Sequence, residues 1–333
     1  MRIEWRQKLA LGFVLLWMAV YSGLCLAAAR DPLDAAQIAF NRGRADEALR
    51  DLDQTLGGNS RNAAAWNLQC RVYLAQARWE DAIGSCQRAV QIAPENSGYH
   101  LWLGRAYGEK ASRAKLVAAY QTAKLVHSEF EAAVALDGQN RQALSDLGQY
   151  YVEAPRILGG GRVKAEGLVA RLNTLDPARA DELKARIAEA KKDYAGADQN
   201  WRARIAVSQS SRDAAAQAWM DLGSFYRRRG QWDQMLAALR SGAVADTNHG
   251  PALVDGASTL IAAGREPKLA AQWLRAYLDG NALSETAPAF AVHAELGDLL
   301  RKQGDIPGAD REFAAARALS ANYSEAATLS AGY

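Results

Sequence analysis

The sequence is poor in the residues that end helices and shape β-turns. Its 333 residues include only 8 prolines and 27 glycines, and β-branched residues rarely cluster. A β-sheet protein of this length normally needs more turn residues and longer Val/Ile/Thr runs. Alanine, leucine, arginine, glutamine and glutamate recur instead, and these residues favour helices. The composition therefore predicts an all-α protein with enough apolar material for a large buried core.

Patterns that carry catalysis or hold a metal are also missing from the sequence. The 4 histidines are far apart, and no H-x-x-x-H or Cys/His cluster occurs. No G-x-S-x-G turn is present. A glycine run at 159–161 is followed by Arg162 and Lys164, but a phosphate-binding loop needs a preceding strand and a Gly-Lys-Ser/Thr end. We interpret this run as a turn between helices, and we expect a non-catalytic protein without cofactor or metal.

Neither sign of charge dominates the chain. Lysine and arginine number 40 and aspartate and glutamate 37, which gives a net charge of +3. A nearly neutral chain has no broad electrostatic attraction for a phosphate backbone. We therefore expect no nucleic-acid partner.

One long apolar run occurs, and it lies at the N-terminus, from Leu9 to Ala29. Three basic residues precede it and small residues end it, which is the layout of a cleaved signal peptide over residues 1–29. The run of 21 residues is also long enough to cross a bilayer, so an uncleaved anchor is the alternative. The first interpretation predicts an exported protein, periplasmic in a Gram-negative cell. The second predicts a protein anchored in the inner membrane.

A spaced motif recurs along the rest of the chain. It is complete as W-x-x-L-G-x-x-Y from Trp219 to Tyr226. Its L-G core returns at Leu103, Leu147 and Leu296, and small residues 34 positions apart stand at Ala36, Cys70 and Gly104. Large apolar residues with small ones between them predict pairs of antiparallel helices. The small residues are expected where two helix backbones cross.

On these residues the chain resembles the tetratricopeptide-repeat (TPR) family, whose period is 34 residues. The resemblance implies a right-handed superhelical solenoid of about eight helix hairpins over residues 30–321, after the signal peptide, with a capping tail at 322–333. A single hairpin cannot bury its own apolar face, so the units must stack. We expect the units to begin near Arg30, Ala63, Ser97, Arg141, Ala178, Ala216, Gly250 and Phe290.

Two stretches exceed the repeat period, one near residues 108–120 and one near residues 154–161. Both fall between the first and second helices of consecutive units. We therefore expect them to project side by side from one edge of the solenoid.

The resemblance implies that a protein or peptide binds in the concave groove formed by the first helix of each pair. The candidate groove residues are Asn67, Arg71, Leu101, Arg105, Gln142, Ser145 and Gln149. Arg71 and Arg105 are one period apart, so two guanidinium groups pointing into one groove could pair with a carboxylate of a bound peptide. Of the Lys/Asn set with which some TPR domains clamp a peptide carboxylate, only Asn67 is present. A peptide carboxylate as the ligand is therefore left open. The alternative is that the two arginines are solvated and bind no ligand.

The two cysteines beyond the N-terminal run, Cys70 and Cys86, fall on the two helices of one unit. In an exported protein such a pair suggests a disulfide. The alternative is two buried thiols that act as small apolar residues.

Basic residues gather at the turns inside the units, and we call this set the basic edge. Its members are Arg42, Arg44, Arg78, Lys110, Arg113, Lys115, Arg156, Arg162, Lys164, Arg227, Arg228, Arg229, Arg265, Arg301 and Lys302. Cations at helix C-termini and acids at the next helix N-termini are favoured by the helix dipole, which accounts for most of this pattern.

The sequence therefore predicts an exported scaffold that binds a protein or peptide partner. The alternative is a membrane-anchored envelope assembly factor that uses the basic edge against anionic lipid. Membrane contact is expected only if residues 1–29 are retained.

Overall fold

The computed structural model describes residues 31–323, which form sixteen α-helices in eight consecutive hairpins. The predicted signal peptide or anchor lies outside these residues, as does most of the predicted capping tail. Between residues 31 and 323 the structure contains no helix long and apolar enough to cross a membrane.

Each hairpin, or repeat, consists of an A helix followed by a B helix. Repeats 1 to 4 are α1 Pro32–Asn41 with α2 Ala45–Gly58, α3 Ala63–Ala75 with α4 Trp79–Ile92, α5 Ser97–Arg113 with α6 Leu116–Leu136, and α7 Arg141–Glu153 with α8 Arg162–Leu175. Repeats 5 to 8 are α9 Pro177–Ala190 with α10 Tyr194–Ser208, α11 Arg212–Arg228 with α12 Trp232–Ala245, α13 Pro251–Ala262 with α14 Pro267–Asp279, and α15 Ala289–Lys302 with α16 Ile306–Leu319.

The predicted fold class is confirmed: the described chain is an all-α superhelical repeat. The A helices begin at or close to the predicted positions. The largest difference is in repeat 6, where α11 begins at Arg212 rather than near Ala216, because Ser211 caps the helix one turn earlier with its side chain on the Ala214 N–H.

Asparagine side chains begin three successive A helices. The Oδ1 atoms of Asn62, Asn96 and Asn140 accept hydrogen bonds from the N–H groups three residues later, at 3.1, 3.2 and 3.1 Å. Such a cap satisfies a backbone donor that the helix leaves unpaired. The caps therefore set the register of repeats 2 to 4.

Glycines allow the A and B helices to approach closely. A Cβ atom added at Gly104 would lie 2.6 Å from the Phe130 ring. One added at Gly223 would lie 2.4 Å from Leu239. Both neighbours are buried side chains of the B helix in the same repeat. The prediction that small residues lie where the helices cross is therefore confirmed.

The first insertion is almost entirely helical. It lengthens both helices of repeat 3, so that α5 has 17 residues and α6 has 21, against 13 or 14 in repeat 2. Two residues, Ala114 and Lys115, join them. Its sequence, residues 108–120, is rich in alanine and also contains lysine; both are good helix formers, which explains why the insertion extends the helices.

The second insertion forms a short 3₁₀ helix, Arg156–Leu158, followed by the glycine run. Gly159 has φ +86°, and a Cβ on Gly160 would lie 1.8 Å from the Ala154 carbonyl oxygen. The run is a turn between α7 and α8, as expected. The Tyr150 hydroxyl lies 3.0 Å from the Ala123 carbonyl oxygen on α6 and 2.7 Å from that of Leu158, so the two insertions are neighbours.

The ends of the solenoid meet, which the sequence did not predict. Phe290, at the start of α15, is fully buried in a cluster with Phe40 and Leu52 of repeat 1. The buried Gln76 Nε2 donates to Ser320 Oγ at 2.9 Å. The Ala321 N–H donates to Asp46 at 2.8 Å. Repeat 8 therefore packs on repeats 1 and 2.

Candidate binding surface on the A helices

The A helices of several neighbouring repeats pack against each other, among them α1 with α3 and α3 with α5. Arg71 of α3 and Arg105 of α5 both lie over the ring of Trp102, with guanidinium carbons 5.3 and 4.5 Å from its centroid. Cations at this distance from an aromatic face are held by its quadrupole. The structure therefore brings together two predicted groove residues, on a tryptophan that was not predicted.

Arg105 already has an internal carboxylate partner. Its Nε lies 2.7 Å from Asp146 Oδ2 on α7, the A helix of the next repeat. Both side chains are partly exposed, at 27% and 22%, so the pair lies at the surface of the groove.

Arg71 is paired with Glu285, which lies in the segment 280–288 between α14 and α15. The Gln37 side chain of α1 donates to the same carboxylate oxygen at 3.1 Å. Glu285 is 214 residues from Arg71 in sequence. The carboxylate expected from a bound peptide is thus supplied here by the chain itself.

The remaining predicted groove residues do not form one site. Leu101 was predicted to line the groove, and this prediction is wrong. Its side chain is 2% exposed and packs in the core, because its position on α5 faces the neighbouring helices. Asn67 is also buried, at 7% exposed. Gln142 is exposed near the start of α7. Ser145 is half-buried, and Gln149, a turn later, donates to Glu153 at 2.9 Å.

A cavity of about 480 Å³ opens between α5, α6 and α7. Val126 and Phe130 contribute apolar surface, and Arg105, Asp146, Gln149 and Glu153 contribute polar groups. The cavity extends to Pro155 and Leu158 of the second insertion. The lengthened α5 and α6 form part of its wall, so the departures from the repeat period create it.

The A helices of repeats 6 to 8 carry a row of acidic residues that the sequence analysis missed. Gln217 donates to Asp255 at 2.8 Å, and the Ser258 hydroxyl donates to Glu295 at 2.6 Å. Asp221 pairs with Arg204 of the preceding repeat. No group of His, Cys, Asp or Glu within residues 31–323 is arranged to hold a metal ion.

The pKa of the Glu295 carboxyl is raised to about 7, first by burial and then by the negative charges of Asp255 and Asp298. The Ser258 hydrogen bond and the positive charge of Lys302 act in the opposite direction. Burial also raises the pKa of Asp255, although its side chain remains accessible to solvent, which offsets part of the effect.

Glu295 makes stability depend on pH. In the folded protein this carboxyl stays protonated up to about pH 7, against an ordinary pKa of 4.5. It therefore favours folding most below pH 4.5, and this contribution disappears as the pH rises through 7. We expect Glu295→Gln to reduce the loss of stability between pH 5 and pH 8 by about 1 kcal/mol, less than the full pKa shift implies because water screens the group. Urea midpoints at the two pH values measure this, and an unchanged difference would contradict it.

Cations of the basic edge are paired locally. Arg44 lies 2.7 Å from Glu47, and Arg78 lies 2.7 Å from Asp81, in both cases three residues later. Arg113 lies 2.7 Å from Glu109. These pairs favour the interpretation that the basic edge reflects charge at helix ends rather than a continuous positive surface.

Cys70 and Cys86 form a disulfide between α3 and α4, with Cα atoms 5.2 Å apart. Both residues are fully buried. The bond joins the two helices of repeat 2, beside the Arg71 site.

Residues 33–97 match the tetratricopeptide-repeat family model. Superkiller complex protein 3 of Mus musculus is 28% identical over 211 residues, which is 62% of this chain but only 13% of that protein. A thermophilic TPR protein of Thermus thermophilus has 19% identity over 63% of this chain and 100% of its own, with a TM-score of 0.47. A tetratricopeptide repeat protein of Parabacteroides merdae has 12% identity over 81% of this chain and 96% of its own, with a TM-score of 0.47.

Proposed function

Because the chain is a tetratricopeptide-repeat protein, we propose that it is an exported, non-catalytic scaffold that binds a protein partner on the inner face of its A helices. TPR proteins mediate protein–protein interactions. The observation that carries the proposal is the cavity between α5, α6 and α7, where predicted groove residues Arg105 and Gln149 line an open, partly apolar space.

The chemistry of this cavity suits a side chain of a bound segment. Phe130 and Val126 offer apolar contact, while Asp146 and Glu153 offer hydrogen-bond acceptors beside it. Binding sites combine an apolar surface with a few polar groups that orient the ligand. A preformed space of this kind costs little conformational entropy to fill.

Two observations support export. The layout of residues 1–29 is that of a signal peptide. The Cys70–Cys86 disulfide is of a kind that persists in oxidising compartments and is rare in the cytosol. A buried disulfide near the groove suits a scaffold that must keep its shape outside the cytosol.

The name of the relative, Superkiller complex protein 3, describes a component of a complex. This name agrees with the scaffold role proposed for the present chain, which matches only a part of that relative.

A photo-crosslinking amino acid at Gln149 tests the proposal in cells that express the full chain with residues 1–29. We expect a specific protein adduct at this position, because Gln149 lines the cavity. The matched control is Val244, which is 82% exposed on the B helix α12, where no adduct is expected.

The captured protein is then purified and its affinity measured by calorimetry. Arg105→Glu should weaken binding at least about tenfold, because it places a negative charge beside Asp146 at the cavity. Arg240→Glu, an exposed change on α12, should leave binding unchanged. Equal adducts at Gln149 and Val244, or equal affinities of both variants, would reject the inner face as the binding surface.

A further inference from the structure

We propose that Glu285 is a built-in competitor for an acidic segment of the partner protein, and that the partner's carboxylate replaces it on Gln37 and Arg71. This inference rests on the proposed function, since it concerns the same inner face. It identifies both the chemistry of the ligand and a contact that must break before the ligand binds.

The segment that carries Glu285 is held in a defined turn. The Tyr277 hydroxyl is buried, donates to the Ala287 carbonyl oxygen at 2.6 Å and accepts the Ser284 N–H at 2.9 Å. The connection 280–288 has nine residues, whereas four residues join α4 to α5 and four join α6 to α7. The extra length extends across to repeats 1 and 2, where Glu285 meets its partners.

The site that receives Glu285 is built from three successive A helices. Gln37 comes from α1 and Arg71 from α3, and Trp102 of α5 lies under the Arg71 guanidinium. A stacked arginine is held in position for carboxylate recognition. Glu285 therefore occupies a preformed acceptor site on the inner face.

Glu285 does not use all the donors of that site. Asn67 Nδ2 and Arg71 Nε are buried and have no hydrogen-bond partner among residues 31–323. The two residues are four apart on α3, so they share one face of the helix. Buried donors without an acceptor are unfavourable, and the spare donors indicate that the site can satisfy more acceptor atoms than Glu285 supplies.

An extended acidic segment supplies those acceptors. A carboxylate can pair with the Nε and a terminal nitrogen of one guanidinium at once, and a neighbouring backbone carbonyl or second carboxylate can take the Asn67 amide. Such a ligand displaces Glu285 because it forms more hydrogen bonds with the site. Its binding also releases the connection between repeats 7 and 8.

Fluorescence anisotropy with a labelled hexaglutamate peptide tests the competition, with hexaglutamine as the uncharged control peptide. We expect Glu285→Gln to bind hexaglutamate about tenfold more tightly than the wild type, because the competing closed state is removed. The matched control is Glu266→Gln, an exposed acid in another interhelical turn, which should leave the affinity unchanged. Adding Arg71→Gln to Glu285→Gln should abolish the gain.

A charge swap keeps the test valid if single variants disturb folding. Arg71→Glu combined with Glu285→Arg restores the ion pair, and it should lose hexaglutamate binding and gain binding of labelled hexalysine. The inference is overturned if Glu285→Gln changes hexaglutamate affinity less than twofold, or if hexaglutamine gains as much. If either result is obtained while the crosslinked adduct at Gln149 still forms, the proposed competition by Glu285 is rejected and the proposed scaffold function is retained.

Discussion

Phe290→Ala is expected to lower the free energy of unfolding by about 3–5 kcal/mol, the range for removal of a buried phenylalanine ring. Phe290 is fully buried, yet it packs with the core of repeats 1 and 2. Its ring also lies 4.9 Å from that of Tyr323, in an edge-to-face arrangement. The substitution therefore leaves a cavity where the last repeat meets the first.

The same variant should open the solenoid. Without the ring, the closure keeps only smaller or partly buried apolar contacts, such as Leu319, and polar contacts such as Gln76 with Ser320. We expect a larger radius of gyration by small-angle X-ray scattering, together with a lower urea midpoint. The control is Val163→Ala, at a side chain that is 80% exposed, for which a change within about 0.5 kcal/mol is expected. A destabilised protein with an unchanged radius of gyration would show that the packing of repeat 8 on repeat 1 does not depend on Phe290.

Removal of the disulfide is expected to cause the second large loss of stability. Cys70 and Cys86 are separated by 16 positions, and closing a loop of this size stabilises a protein by about 3 kcal/mol through the unfolded state. We expect the double variant Cys70→Ala/Cys86→Ala to lose about this much, measured by urea unfolding without reductant.

Reductant provides the matched comparison. Both cysteines are fully buried, so a reductant should act on the wild type mainly when it unfolds, and should then lower its midpoint to near that of the double variant. The double variant itself should not respond to reductant. Two free thiols in unfolded, unreduced wild-type protein would contradict the disulfide.

The helices and their order could be predicted from the sequence because each repeat is stabilised by its immediate neighbours. Spaced small residues such as Gly104 and Gly223 mark the helix crossings, and this signal is local. The form of the first insertion was not predicted: its residues near 108–120 continue the two helices of repeat 3. Helix-forming residues in a long connection extend a helix when its end is free to grow.

The candidate site was predictable only in part. The period placed Arg71 and Arg105 on neighbouring A helices, and both contact Trp102. Trp102 lies three positions before Arg105, so the helical spacing could have identified it. Leu101 lies one turn before Arg105 on the same face of α5, yet it is buried, because that turn packs against the neighbouring helices, which the repeat period does not record.

The sequence by itself determined the repeat: its period, its helix hairpins and the pairing of residues within one or two units, since these depend on contacts between near neighbours. The tertiary structure alone decided that repeat 8 meets repeat 1, and that Glu285 occupies the Arg71 site. The reason is geometric. A small rotation from each repeat to the next accumulates along the stack, and no local motif records where the accumulated turn brings the ends together.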